Sequence, residues 1–255
     1  NLGAGVDLSV SAATSSPTIT EINTLVTSLR TTSGMNGKIT ATLDGTVSDA
    51  QAKTLTTDKT KNDAITVKLS DAVISDAANL SVAADKTTVA IDAGLATGIA
   101  GGASDIASAL TAAGTTIDWG SAVDATFTVG VTGANQVDDL NTIMANTTGV
   151  ITATVSTQAM ADALGATGLA KLSLGTVPAE NAKLTITVAD ATVNAADLTT
   201  LAGKTSVEVT ATAATTFTGS VSDINALLTA ATNDDVEITA TADFSLSDST
   251  VAVSD

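Results

Sequence analysis

Cysteine, histidine and tyrosine are absent from this 255-residue chain, which holds one tryptophan, three phenylalanines and two prolines. Without cysteine there are no disulfides and no thiolate metal sites. Without histidine, cysteine and tyrosine the usual bases and nucleophiles for chemistry near neutral pH are missing. Serine and threonine are abundant, yet none sits in a Ser–Lys or nucleophile-elbow context. We therefore expect no enzyme. Basic residues are also scarce: ten lysines and arginines face 27 acids, for a formal net charge of −17. Such a balance disfavours nucleic acid and anionic lipid as partners, and it favours solubility, self-repulsion and cation binding. No run approaches the roughly 18–20 uncharged apolar residues of a membrane span, so no membrane insertion is expected. No charged stretch followed by an apolar one opens the chain. It begins at Asn1, from which we expect a processed chain or a piece of a longer one.

What is present is aliphatic. The apolar fraction is 44% while aromatics are 2%. This is too apolar for a disordered chain, and too poor in large rings for the wide core of an ordinary globule. Small aliphatic residues suit thin layers stacked at the strand spacing of about 4.8 Å. Ten segments alternate apolar residues with Thr, Ser, Lys or Glu, the pattern of half-buried strands. They centre on Val6-Leu8-Val10, Ile39-Ala41-Leu43, Ile65-Val67-Leu69, Val89-Ile91, Phe127-Val129-Val131, Ile151-Ala153-Val155, Leu184-Ile186-Val188, Val207-Val209-Ala211, Val236-Ile238-Ala240 and Val251-Val253.

Short helical stripes lie between them: Ile22/Leu25/Val26/Leu29, Ile106/Leu110, Leu140/Ile143/Met144, Leu198/Leu201 and Ile224/Leu227/Leu228. Thr20, Ser48, Ser75, Ser104 and Ser222, each followed by an acid, read as their N-caps. The longer gaps at 95–102 and 169–179 read as extra loop. Connections this long require parallel strands, because a hairpin needs only a few residues. Two α/β architectures satisfy that requirement. In one, a solenoid-like repeat stack, a parallel one-sided β-sheet carries short helices between strands. In the other, a doubly wound sheet is covered on both faces. The alternate positions Thr40/Thr42, Thr152/Thr154 and Glu208/Thr210/Thr212 read as solvated, which favours the stack. Residues 1–255 then form a single repeat-built domain, and a break would fall near 95–123. Both ends read as strand without a polar cap. They mark either truncation from a longer array or end-to-end assembly into a polymer.

The phrases themselves repeat. Asp139-Leu140-Asn141-Thr142-Ile143, followed by Thr147-Thr148-Gly149-Val150-Ile151-Thr152-Ala153, has counterparts in Ala195-Ala196-Asp197-Leu198-Thr199-Thr200-Leu201 and Ser222-Asp223-Ile224-Asn225. This unit resembles the repeats of very large Ala/Thr/Asp-rich cell-surface proteins of marine bacteria, cyanobacteria among them. The resemblance covers most of the chain and implies an extracellular, cell-surface or matrix role. Many such proteins also carry Gly/Asp-rich calcium nonapeptides, and none occurs here.

The candidate site is a row of acids at strand ends: Asp44, Asp71, Asp92, Asp190 and Asp243. Stacked in register, they offer carboxylates to calcium, which takes six to eight oxygens. The competing reading gives each aspartate its own local turn. Asp138/Asp139 and Asp234/Asp235 read as a helix start and a turn rather than a glycosidase pair, since a sugar cleft usually wants aromatic walls. Gly98-Ile99-Ala100-Gly101-Gly102 reads as loop, because no Gly-Lys-Ser/Thr follows it. The Thr-rich face is read as solvated sheet, as a contact for another protomer, or as a binder of an ordered surface. Trp119, Phe127, Phe217 and Phe244 read as plugs at loops or as the lining of a ligand pocket. The expected function is a non-catalytic, acidic, extracellular structural repeat protein that self-associates into a filament, sheath or surface layer. The alternative is an adhesin or glycan-binding surface module. No cofactor is expected beyond calcium at the acid row.

Overall fold

The computed structural model describes residues 7–10, 16–32, 36–120, 123–129, 136–160 and 168–248. They form a mixed α/β protein with parallel sheets, in two compact units, Asn1–Ala125 and Thr126–Asp255. The boundary lies just beyond the segment where the sequence places a break.

In the first unit β1 (Leu8–Val10), β2 (Ile39–Thr42) and β3 (Ala64–Thr66) make one parallel sheet, with Val10 opposite Ala41 and Ala41 opposite Ile65. Ile39, Ala41 and Ile65 are buried while Thr42 and Thr66 are exposed, as alternation requires. Two helices come between these strands, α1 (Ile19–Val26) and α2 (Asp49–Ala52). A π-helical turn, Thr27–Thr32, extends α1. Next come β4 (Val73–Ile74), α3 (Ala77–Ala84), β5 (Ile91–Asp92), β6 (Gly98–Ala100), α4 (Ala103–Thr111) and β7 (Ile117–Asp118). β4 pairs with β6 through Ile74 and Ile99, and β5 with β7 through Ile91 and Ile117, both parallel. These four isoleucines are fully buried, and each contributes roughly 1.5–3 kcal/mol of transfer free energy. Strand β8 (Asp124–Val129) spans the boundary between units.

The second unit holds α5 (Gln136–Asn146), β9 (Ile151–Gln158), β10 (Ala182–Val188), β11 (Thr192–Asn194), α6 (Ala195–Ala202), β12 (Val209–Ala211), β13 (Thr216–Gly219), α7 (Val221–Thr232), β14 (Val236–Ile238) and β15 (Asp243–Leu246). β9, β10, β12 and β14 pair in sequence, all parallel. β11, β13 and β15 form a second parallel sheet. β11 and β13 each follow a strand of the first sheet and precede a helix, so strand, strand and helix follow one another there along the chain.

The alternating strands fall where the sequence places them, within a residue or two. Val251–Val253, Val6 and Val131 lie outside the described residues. The second strands are a correction. Gly98–Ala100, read as loop, is β6, and β4, β7, β11, β13 and β15 had no counterpart in the reading. Each is short, and in β4, β7 and β11 a single side chain is buried (Ile74, Ile117, Val193), so there is no alternation to detect. The caps are a second correction. Ser48 caps α2, but α1, α4 and α7 start on Thr18, Gly102 and Ser220, each two residues before the residue expected, and α3 starts on Asp76, one residue after Ser75. In α3, α4 and α7 the preceding strand runs almost directly into the helix, which fixes the cap near the strand's end. Thr18 with Glu21 and Ser220 with Asp223 close reciprocal capping boxes. Hydrogen bonds from the Thr18 backbone and hydroxyl hold Glu21 below its ordinary pKa. The Ser220 hydroxyl and backbone do the same to Asp223.

Candidate functional site

Of the five aspartates of the acid row, Asp92 ends β5, Asp243 opens β15, and Asp44, Asp71 and Asp190 lie outside the strands, three of the five in the first unit and two in the second. Asp71 and Asp190 do the same job. Each carboxylate takes a backbone N–H at 2.6 Å from the chain segment before it, Asp71 from Asp49 and Asp190 from Met160. Asp248, which the reading passed over, does this too, taking the N–H of Val221 at 2.7 Å. Asp49 and Val221 open helices α2 and α7, so these carboxylates cap orphan donors across segments. Asp92 accepts the N–H of Gly94 at 2.9 Å and lies 3.8 Å from the Lys68 ammonium. Its neighbour in register is Asp118, also outside the row as read. Asp44 and Asp243 are exposed, and Asp243 stands opposite Thr216 rather than beside another acid of the row. Among the described residues no three acids group closely enough to hold a metal ion. Asp138 and Asp139 lie in the first turn of α5, and Asp234 in a left-handed turn before β14.

The polar side chains with most partners are elsewhere, and they join one chain segment to the next. Asn23 on α1 donates to Thr54 O at 2.8 Å and accepts the Thr56 N–H at 2.8 Å. Asn141 on α5 repeats this with Lys171 O and the Ser173 N–H. Thr87 accepts the N–H of Ile65 and donates to Ile65 O, both at 2.8 Å. Thr205 does the same to Leu184, at 3.0 and 2.9 Å. Because a hydroxyl both gives and takes, one threonine satisfies both backbone groups of a strand residue. The sequence carries a signal for these residues. Asn23 and Asn141 each follow the first apolar residue of their stripe, and Thr87 and Thr205 sit in Lys-Thr-Thr-Val and Lys-Thr-Ser-Val. Replacing Thr205 by valine should cost about 1–3 kcal/mol, because the Leu184 backbone groups lose their partner inside the protein. Urea unfolding followed by circular dichroism measures this, and an unchanged midpoint would remove the clamp from the account.

Two carboxylates are buried among the described residues. Asp49 is 2% exposed and accepts the Ser75 hydroxyl, the Asp76 N–H and the Asn79 amide. Burial raises its pKa, but those hydrogen bonds outweigh burial and leave it below the ordinary value. Asp63 is fully buried against Arg30 at 2.7 Å. Lys204 donates to Leu172 O, and burial lowers its pKa. It borders a cavity of about 40 Å³ with Asp197 and Thr200. Phe217 is fully buried, its ring stacked on Phe244 at 6.0 Å. Trp119 is half-buried, with Nε1 directed at Ala109 O. No helix among the described residues is long and apolar enough to cross a membrane. Comparison with protein-family models, curated proteins and solved structures returned no match.

Proposed function

We propose that this chain is a non-catalytic structural protein of the cell exterior, built as a solenoid-like repeat stack that self-associates into a filament, sheath or surface layer. One observation carries the reading: the same inter-segment bonds recur with the same residue types in both units. The Asn23 and Asn141 straps, the Thr87 and Thr205 clamps, and the Asp71, Asp190 and Asp248 caps each tie a segment to its neighbour in sequence. Repeated nearest-neighbour ties are the bonding pattern of a quasi-one-dimensional array. The edges support assembly. Among the described strands β1 and β15 end their sheets, and Phe244 and Leu246 on β15 are 42% and 46% exposed. An edge strand with exposed apolar side chains is a template for further strands. The likeness of the repeats to bacterial surface arrays supports the exterior location.

Electron microscopy of the purified chain with and without calcium tests the proposal. Regular fibres or sheets are expected without calcium, because Asp71 and Asp190 already have protein donors. Fibres only with calcium would make Asp44, Asp92 and Asp243 part of an assembly site. Isolated particles under both conditions, binding a glycan surface saturably, would replace assembly with the adhesin reading.

A further inference from the structure

We propose, resting on self-association as read above, that the end of the second unit formed by α7, β14 and β15 is an acceptor face for a second copy of this chain. Strand β1 of the second copy adds in parallel to β14, and Asn225 straps the incoming backbone.

On α7 a strap is unpaired. Asn23 follows buried Ile22 on α1, and Asn141 follows buried Leu140 on α5. Each donates to a carbonyl and accepts an N–H two residues farther on, in a segment 30 to 33 residues later. The two bonds bracket a leucine, Leu55 or Leu172, that is 2% exposed. α7 repeats the pair as Ile224-Asn225. There the asparagine is exposed, and its side chain meets no hydrogen-bond partner among the described residues, while its carbonyl takes the Thr229 hydroxyl. One turn on, the same contrast recurs in apolar residues. Val26 and Met144 stand four residues after Ile22 and Leu140 and are 6% and 0% exposed, whereas Leu228, four after Ile224, is 41% exposed. The strands agree. Phe217 on β13 is fully buried, but Phe244, its register partner on β15, is 42% exposed. Ala211 on β12 is buried, but Ile238, its partner on β14, is half-buried. A strap, a helix stripe and two strands all stop one layer short of the pattern inside the protein.

β1 presents the matching edge. Among the described strands it ends a parallel sheet, as β14 ends another. Its side chains Leu8 and Val10 are half-buried, while their register partners Ile39 and Ala41 are buried. Parallel addition to β14 sets Leu8 beside Val236 and Val10 beside Ile238, apolar on apolar, as Val209 stands beside Val236 within the sheet. Ser9 then lies beside Glu237, and both are exposed already. A slip of one residue would put Ser9 against the apolar side, so the alternation selects the register. Main-chain bonds along the added strand supply affinity, and the side chains supply specificity. Asn225 takes a carbonyl and an N–H from the backbone just ahead of β1. Because unlike surfaces meet, a docked copy still offers its own α7 end to the next.

The chain holds no cysteine, so single cysteines report the contact without background. Full-length Ser9→Cys and Glu237→Cys chains, mixed under mild oxidation, should give a mixed disulfide dimer, because parallel neighbours in register lie within disulfide reach. Either variant alone should give none. Sedimentation velocity over a range of concentrations reads the strap. Asn225→Ala should weaken association about tenfold through the two hydrogen bonds lost. Adding Leu228→Ser should bring the loss to about a hundredfold or more. Val82→Ser, which trims a 44% exposed side chain on α3, should change nothing. Disulfides only between like variants, or association indifferent to both α7 substitutions, overturns this docking and leaves self-association to another surface. A chain that stays single at every concentration overturns self-association and the docking together. Mixed dimers that stop short of fibres support the docking and overturn the filament.

Discussion

Replacing Phe217 by alanine is expected to lower the stability of the second unit by about 3–5 kcal/mol. Phe217 lies at the centre of β13, between Val193 on β11 and Phe244 on β15 in register, and it is among the largest fully buried side chains. With aromatics at 2% of the chain, the only ring stacked on Phe217 among the described residues is that of Phe244. Strands on both sides hold the backbone, so the cavity stays open, and Phe244 loses the ring it stacks on. Guanidinium unfolding followed by circular dichroism should show the loss in midpoint. Phe217→Leu keeps most of the volume and should cost less than about 1.5 kcal/mol. If alanine is tolerated as well as leucine, the packing of β13 is not what holds this unit.

The second large effect belongs to Asp49 and depends on pH. Alanine there strips the acceptor from the Ser75 hydroxyl, the Asp76 N–H and the Asn79 amide, and Asn79 is 5% exposed. Buried donors without a partner cost on the order of 3 kcal/mol at neutral pH. The folded protein holds the Asp49 pKa below its value in the unfolded chain, about 3.9. Its contribution is therefore fully present above that value and is lost as pH falls through the lower, folded pKa. Urea midpoints of wild type and Asp49→Ala should differ widely at pH 7 and converge in acid. A gap of constant size from pH 7 to pH 3 would show that the carboxylate's charge plays no part.

Legibility from sequence followed the number of buried residues per element. β2, β9 and β10 alternate over several positions, so Ile39/Ala41 and Leu184/Ile186/Val188 announce themselves. β4 and β11 bury one side chain each, Ile74 and Val193, and one buried residue has no period. The helices were legible as stripes and blurred at their starts. Ser222 and Ser220 are equally good caps by type, and only burial of Gly219 at the end of β13 decides for Ser220. At the acid row, the residue types were visible and the partners were not. Asp71 is bonded 22 residues back and Asp190 30 residues back, farther than any local turn rule reaches. Asp49 and Asp63 gave no signal, because their burial depends on segments folded against them from elsewhere in the unit.

The side-chain ties between segments described above reach from 21 residues, Thr205 to Leu184, to 33 residues, Asn23 to Thr56. This sets how the chain can acquire its structure. Ties of this reach do not wait for a distant terminus to arrive, so contact order stays low for a protein made of parallel strands. Each stretch of some thirty residues can close on its predecessor as it emerges, and ordering can run along the polypeptide like a zip. A chain of this kind can grow or shrink by whole segments in evolution without redesigning the remainder.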